Sequence, residues 1–225
     1  MILIIRGHVR NSFETKELYN LVKELNEIFT DLKIFIHTWN IFANNLSWRK
    51  ININNEIVND KIIYDYFDDL QHLIKTIIID DDTKIKLIGN LSGTINNNTM
   101  PLIGWKNYWY GKHKIIDNIY NLPVDDNEMI VNLRFDVMNN SNSFNKETIV
   151  DFIKNNSNII FTKNNFLFNQ EHGGIDNIYI GNINTMYKLI NTFFYELDDI
   201  LIKINNTKHQ ELIVYRMNSI LFENS

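Results

Sequence analysis

The chain has 225 residues and a net charge of −5, with 44% hydrophobic residues that include 14 Phe, 10 Tyr and 4 Trp. That is enough to bury a proper core in one domain, or at most two small ones. Net acidity argues against nonspecific nucleic-acid binding, zero cysteines exclude disulfides and thiolate chemistry, and no apolar run approaches the roughly 18–20 residues of a membrane span. Met1–Ile5 runs straight into Arg6-Gly7-His8, too short for a secretory leader, so a soluble cytoplasmic protein is expected. Asn, Ile and Lys are over-used, as AT-rich codons would produce, and tracts such as Asn96–Asn98 read as loop filler.

The chain opens with a buried strand, Ile2–Ile5. A helix follows, with Leu18, Leu21, Val22, Leu25, Ile28 and Phe29 on one face; Asn11 or Ser12 could cap it, with Glu14 completing a capping box after Asn11. Leu32–Ile36 is a second strand that stops at His37-Thr38-Trp39-Asn40. Strand, helix and strand within about 38 residues make a βαβ unit and imply a parallel sheet. Residues 41–60 read as an irregular loop, Lys61–Thr76 as a helix, and Ile77–Ile79 as a short strand closed by Asp80-Asp81-Asp82. Asn90–Thr99 is a polar loop, Trp105–Asn121 a helix, and Met129–Leu133 a strand ending in Arg134-Phe135-Asp136.

The last third repeats the alternation. Glu147–Lys154 is a short helix, Asn158–Thr162 a strand, Phe166–Asn177 a loop and Asn177–Gly181 a further strand. A long helix runs from Met186 to Ile204 with the strongest 3.6-residue period in the chain, and a final helix begins near Gln210. No Pro/Gly/Ser linker divides the sequence. The expectation is one α/β domain with a mostly parallel central sheet flanked by helices.

In such sheets ligands bind at the C-terminal ends of strands, here Arg6–Arg10 and His37–Asn40. In Arg6-Gly7-His8-Val9-Arg10, glycine lets the backbone approach a ligand and the two arginines offer forked donors to phosphate. A plain strand-to-helix turn with solvated arginines fits the same residues. No Walker loop or three-glycine dinucleotide fingerprint occurs. Asp80–Asp82 and Asp136 each put carboxylate at a strand end, where Mg²⁺ or Mn²⁺ on a diphosphate could be held, though turn chemistry also explains them. The six histidines show no preformed zinc spacing. Trp105, Tyr108, Trp109 and Tyr110 could stack on a sugar or simply fill the core.

Several segments, in order, resemble a family of small GT-A-fold glycosyltransferases from surface-polysaccharide loci and large DNA viruses. They are Arg6-Gly7-His8-Val9-Arg10-Asn11-Ser12-Phe13, Phe35-Ile36-His37-Thr38-Trp39, Ile130–Asp136, Tyr179-Ile180-Gly181 and His209-Gln210-Glu211, and they span nearly the whole chain. Where the family carries a second arginine two positions before Arg134, this chain has Asn132.

The resemblance implies a single GT-A-like, Rossmann-like domain that moves a sugar from a nucleoside-diphosphate sugar to a hydroxyl of a glycan acceptor. It implies donor contacts from Arg6, Gly7, Arg10, Thr38, Trp39 and Arg134, and Mn²⁺ or Mg²⁺ at Asp136 with His209. The metal would neutralise the leaving diphosphate. A general base is expected in an inverting enzyme; Asp176 is the candidate because it follows the Glu171–Gly174 loop, and Glu171 competes. Two alternatives stand beside this: a catalytically inactive sugar-binding or structural relative, and a nucleotidyltransferase. The latter would normally show a glycine-rich loop with a lysine.

Overall fold

The structure, a computed structural model, describes residues 1–44, 52–95, 99–139, 144–156, 166–167, 177–204 and 210–222. Its elements in the first half are β1 (Ile2–Arg6), α1 (Glu17–Ile28), β2 (Lys33–Trp39), β3 (Ile41–Ala43), β4 (Asn54–Ile57), α2 (Asp60–Phe67) and β5 (Ile74–Asp80). There follow β6 (Thr94–Ile95), β7 (Met100–Pro101), α3 (Leu102–Tyr120), β8 (Ile130–Arg134), α4 (Lys146–Asn156), β9 (Phe166–Leu167), β10 (Ile178–Gly181), α5 (Ile183–Ile204) and α6 (Gln210–Phe222).

A central sheet runs in the order β5-β2-β1-β8-β10-β9. The pairs β5·β2, β2·β1 and β1·β8 are parallel, and β10 runs antiparallel to both of its neighbours. The expected α/β class with a mostly parallel, helix-flanked sheet is what forms. Side-chain alternation along the strands divides the core in two. Leu3, Ile5, Ile34, Ile36, Val131 and Leu133 pack with α1, α2 and α4 on one face. Ile2, Ile4, Phe35, Ile130 and Tyr179 pack with α3, α5 and α6 on the other. The same parity sends Arg6, His37 and Asn132 towards the α3 face, because each continues a series two residues apart.

Several local expectations are corrected. The first helix begins at Glu17 behind Lys16, which makes no side-chain cap, so Asn11, Ser12 and Glu14 form no capping box. Residues 10–16 instead turn back on themselves, with Ser12 N–H bonded to Val9 O and Glu14 N–H to Asn11 O. That turn lets Phe13 stack on Tyr66, ring centroids 4.0 Å apart. The stretch read as a loop over 41–60 contains the antiparallel pair β3·β4. The helix read over Lys61–Thr76 ends at Phe67, where Asp68 adopts φ +51°, and a 3₁₀ stretch (Asp68–Leu73) leads into the sheet. Ile74 therefore starts β5, a seven-residue strand rather than a three-residue one. Local helical periodicity could not reveal this, since Ile74 and Ile77–Ile79 suit either state until β2 offers them a ladder.

The loop read over Asn90–Thr99 carries β6, and the one read over Phe166–Asn177 carries β9. α5 is the strongly periodic helix expected, broken once at Glu196 (φ −114°, ψ 16°). The strand read over Asn158–Thr162 lies outside the described residues.

Candidate anion-binding site

β1 lies between β2 and β8, so the crossover from β1 to β2 and the later entry of β8 leave β1 on opposite sides. At such a switch point the loops beyond the strand ends diverge and leave a crevice. Backbone bonds stitch this edge together: Gly7 N–H to His37 O (3.1 Å), Phe135 N–H to Arg6 O (3.1 Å) and Arg10 N–H to Phe42 O (2.8 Å). Thr38 Oγ1 donates to Gly7 O at 2.9 Å. Gly7 stands at φ +95°, a conformation L side chains rarely adopt, which lets the chain turn at the end of β1.

Between these ends and α3 is a pocket of about 110 Å³ that Arg6, His8, Arg10, Trp39, Asn107 and Arg134 help to line. Arg6 is 2% exposed. Its Nε donates to Asn132 Oδ1 at 2.9 Å, its Nη2 to the Tyr108 hydroxyl at 3.3 Å, and its guanidinium carbon lies 4.4 Å from the centre of the Tyr108 ring. The register that puts Ile4 opposite Asn132 brings this pair together. Lys112, wholly buried one helical turn after Tyr108, sets its Nζ 3.7 Å from the same ring.

Arg10 is held at φ +54°, outside the usual range for a side chain with a Cβ, and its Nη1 bonds Asp136 Oδ2. Arg134 meets the same carboxylate with Nε on Oδ1 and Nη2 on Oδ2, both at 2.8 Å. Burial by itself would raise Asp136, which is 4% exposed, but Arg134 and Arg10 outweigh it and hold the carboxyl below its ordinary range. Three arginines therefore share the edge with one ionised carboxylate, leaving excess positive charge facing the pocket.

Three further polar atoms of the lining are shielded from water and make no hydrogen bond: His8 Nε2, Trp105 Nε1 and Asn107 Oδ1. Buried polar atoms in folded proteins are nearly always paired, so such a group suits a polar ligand or bound water. Burial pushes His8 down to about 3, with the Arg10 guanidinium acting in the same direction, so this ring is neutral at ordinary pH.

The structure brings Arg6, Gly7, Arg10, Trp39 and Arg134 into one pocket and puts Thr38 behind Gly7 as a brace. Asp136 is beside them, but both of its oxygens accept from guanidinium groups. Among the described residues no group of three His, Asp or Glu side chains converges on a point. In this arrangement the described residues do not fit a cation centred on Asp136. Asp176, Glu171 and His209 lie outside the described residues.

The three acids of Asp80–Asp82 take separate partners: His37, Lys84 and Asn44 in turn. Of the aromatic group, Trp105 and Trp109 are core residues against Phe193. Tyr108 reaches the pocket, and Tyr110 stacks on Trp39 with centroids 6.1 Å apart.

Sequence reading passed over His8, Asn107 and Asn132 as site residues. Asn132 had a signal, an amide inside the apolar run Val131–Leu133 that must find a partner. Asn107 had none, since its helix face is set only by docking against the sheet. Compared with known protein families and with characterised proteins, the chain matches none. Among the described residues no helix is long and apolar enough to cross a membrane.

Proposed function

We propose that this chain is a glycosyltransferase that uses a nucleoside-diphosphate sugar and a glycan hydroxyl acceptor, with the diphosphate bound at the pocket between β1, β8 and α3. The observation that carries this reading is the convergence of Arg6, Arg10 and Arg134 at the C-terminal edge of two adjacent parallel strands. A forked guanidinium matches phosphate oxygens two at a time. About 110 Å³ accommodates a phosphate-sized group, so the nucleoside and sugar would extend outward from it.

Arg10 and Arg134 would exchange Asp136 for phosphate oxygens and stabilise charge on the leaving diphosphate. Because Asp136 is committed to those arginines, this reading assigns charge neutralisation to guanidinium groups and routes no step through Mn²⁺ or Mg²⁺. The cytoplasm, where such donors are made, is the proposed location.

One observation favours the second reading, a sugar-phosphate-binding relative without transfer: among the described residues no carboxylate lines the pocket as a free base. Calorimetry of the full chain with UDP-, GDP- and dTDP-sugars, with and without Mn²⁺, tests the reading. Binding of a nucleotide sugar without added metal is expected. Transfer of its sugar to an acceptor separates enzyme from binder, and absence of binding to every donor removes both.

A further inference from the structure

Beneath the pocket a second, smaller void of about 20 Å³ lies against the sheet, lined by Arg6, Gly7, His37, Trp39, Asn107, Tyr108 and Gly111. Five of these, Arg6, Gly7, Trp39, Asn107 and Tyr108, also line the anion pocket, so the void is its floor. A cavity needs roughly 10–15 Å³ and two to four polar partners to hold a water. The size is right for one water and too small for more.

Its polar partners are specific. His37 is fully buried at the end of β2, and its Nε2 lies 3.2 Å from Asp80 Oδ2. Its other nitrogen, Nδ1, is buried with no hydrogen-bond partner, as is Asn107 Oδ1. Asp80 is kept ionised by His37 first, with Lys114 and the Tyr110 hydroxyl assisting against burial. The Tyr110 phenol beside Asp80 keeps its proton, pushed up to about 12 by burial and by that carboxylate.

An ionised carboxylate can only accept, so the hydrogen of a neutral His37 sits on Nε2 and Nδ1 carries a lone pair. Burial favours the neutral ring. The charged or titratable groups around it are Asp80 on β5, Tyr110 and Lys114 on α3, and Arg6 and His8 on β1 and its turn.

Gly111 makes room for this arrangement. A Cβ there would stand 2.6 Å from His37 Nδ1 and 2.7 Å from Cε1, closer than real contacts allow. Glycine weakens a helix relative to alanine, and here it permits the imidazole to reach α3.

We propose that the void holds one water whose two hydrogens are taken by His37 Nδ1 and Asn107 Oδ1, so that it offers only its oxygen upward and selects a hydroxyl on the pocket's ligand. The oxygen has two lone pairs, so a ligand hydroxyl is accepted even with the Arg6 guanidinium beside it. An unprotonated phosphate oxygen, which has no hydrogen to give, finds no partner there. Arginines above and a water acceptor below together describe a ligand with a phosphate next to a hydroxylated carbon, as in a glycosyl phosphate. The hydroxyl part of the inference rests on reading the pocket as a phosphate site; the water does not.

Two measurements on the full chain test it. Imidazole nitrogen–proton correlation spectra between about pH 5 and about pH 8 should show His37 as a neutral ring with Nε2 protonated and Nδ1 bare. A crystal structure should place a water between Nδ1 and Asn107. A protonated Nδ1 or an empty void overturns the proposal.

Binding of inorganic phosphate and of a hexose 1-phosphate is then compared by calorimetry. Wild type should prefer the hexose phosphate, and Gly111→Ala, which fills the void, should reduce that preference by about fivefold to tenfold while phosphate binding persists. Asn107→Leu provides the same comparison if Gly111→Ala fails to fold. A preference that survives both substitutions overturns the hydroxyl subsite. Failure of wild type to bind either phosphate overturns the phosphate reading and the hydroxyl subsite with it, while the spectra and the water still decide the lower site.

Discussion

Arg134 and Asp136 are two residues apart, and Arg134 folds back so that Nε and Nη2 meet the two carboxylate oxygens at 2.8 Å each. Phe135 between them points the other way and is buried in the core below α1. The alternation of an extended chain thus presents a cation and an anion together on one side of the strand end. Arg10 then closes on the same carboxylate from the β1 turn. Asp136 behaves as a built-in anion that keeps two guanidinium groups aimed at one place.

Asp136→Asn keeps the shape but removes the charge that ties these arginines. Inorganic phosphate should bind the variant more tightly than wild type and need no metal. Folding stability should fall by about 1.5–3 kcal/mol, the scale of hydrogen bonds to charged groups. Calorimetry and denaturant titration read both quantities. Weaker anion binding, together with loss of any response to Mn²⁺, would return Asp136 to the metal role implied by the family resemblance.

Arg10→Gly separates strain from binding. Glycine accepts φ +54° freely, and relief of the left-handed conformation offsets about 1 kcal/mol of whatever the lost ion pair contributed. Stability should therefore drop less than in Arg134→Ala, while affinity for phosphate or pyrophosphate falls about tenfold to a hundredfold. Unchanged affinity would leave Arg10 a turn residue with no part in binding.

Acid should destabilise the fold through His8 and His37. Both His8 and His37 are lowered by burial, so below about pH 6.5 the unfolded chain binds protons that the folded chain refuses. Stability is thus full above that pH and falls with acidification, by up to about 1.4 kcal/mol per pH unit for each ring. For His8 the fall continues until its folded value of about 3 is reached. His8→Asn should make the dependence shallower by one such share in denaturant melts at a series of pH values. An unaltered slope would mean that His8 titrates normally.

Trp109 locks α3 to α5. It is fully buried, and its ring stacks on Phe193 with centroids 4.1 Å apart and planes 6° from parallel. Trp109→Ala should cost about 3–5 kcal/mol and Trp109→Phe distinctly less. Thermal and chemical melts measure the difference; equal losses from the two variants would show that the stack itself contributes nothing.

By itself the sequence determined the layers of this protein. Short apolar runs mark β1, β2 and β8, which are buried on both faces of the sheet, a 3.6-residue period marks α1 and α5, which bury one side, and the arginines at Arg6, Arg10 and Arg134 are visible where apolar strands end. It also pointed to Asp136 as a strand-end acid, but could not say that two arginines take it, since Arg10 lies 126 residues away. Tertiary structure decided that partnership, through the parallel pairing of β1 with β8. It likewise drew Ile74–Thr76 out of a helical pattern to lengthen the Ile77–Ile79 strand into β5, whose pairing with β2 sets Asp80 against His37. Gly111, inside α3, has its reason in the imidazole packed against it from β2. Periodicity is a property of neighbours along the chain; charge pairing, burial and the void under the pocket depend on neighbours across it.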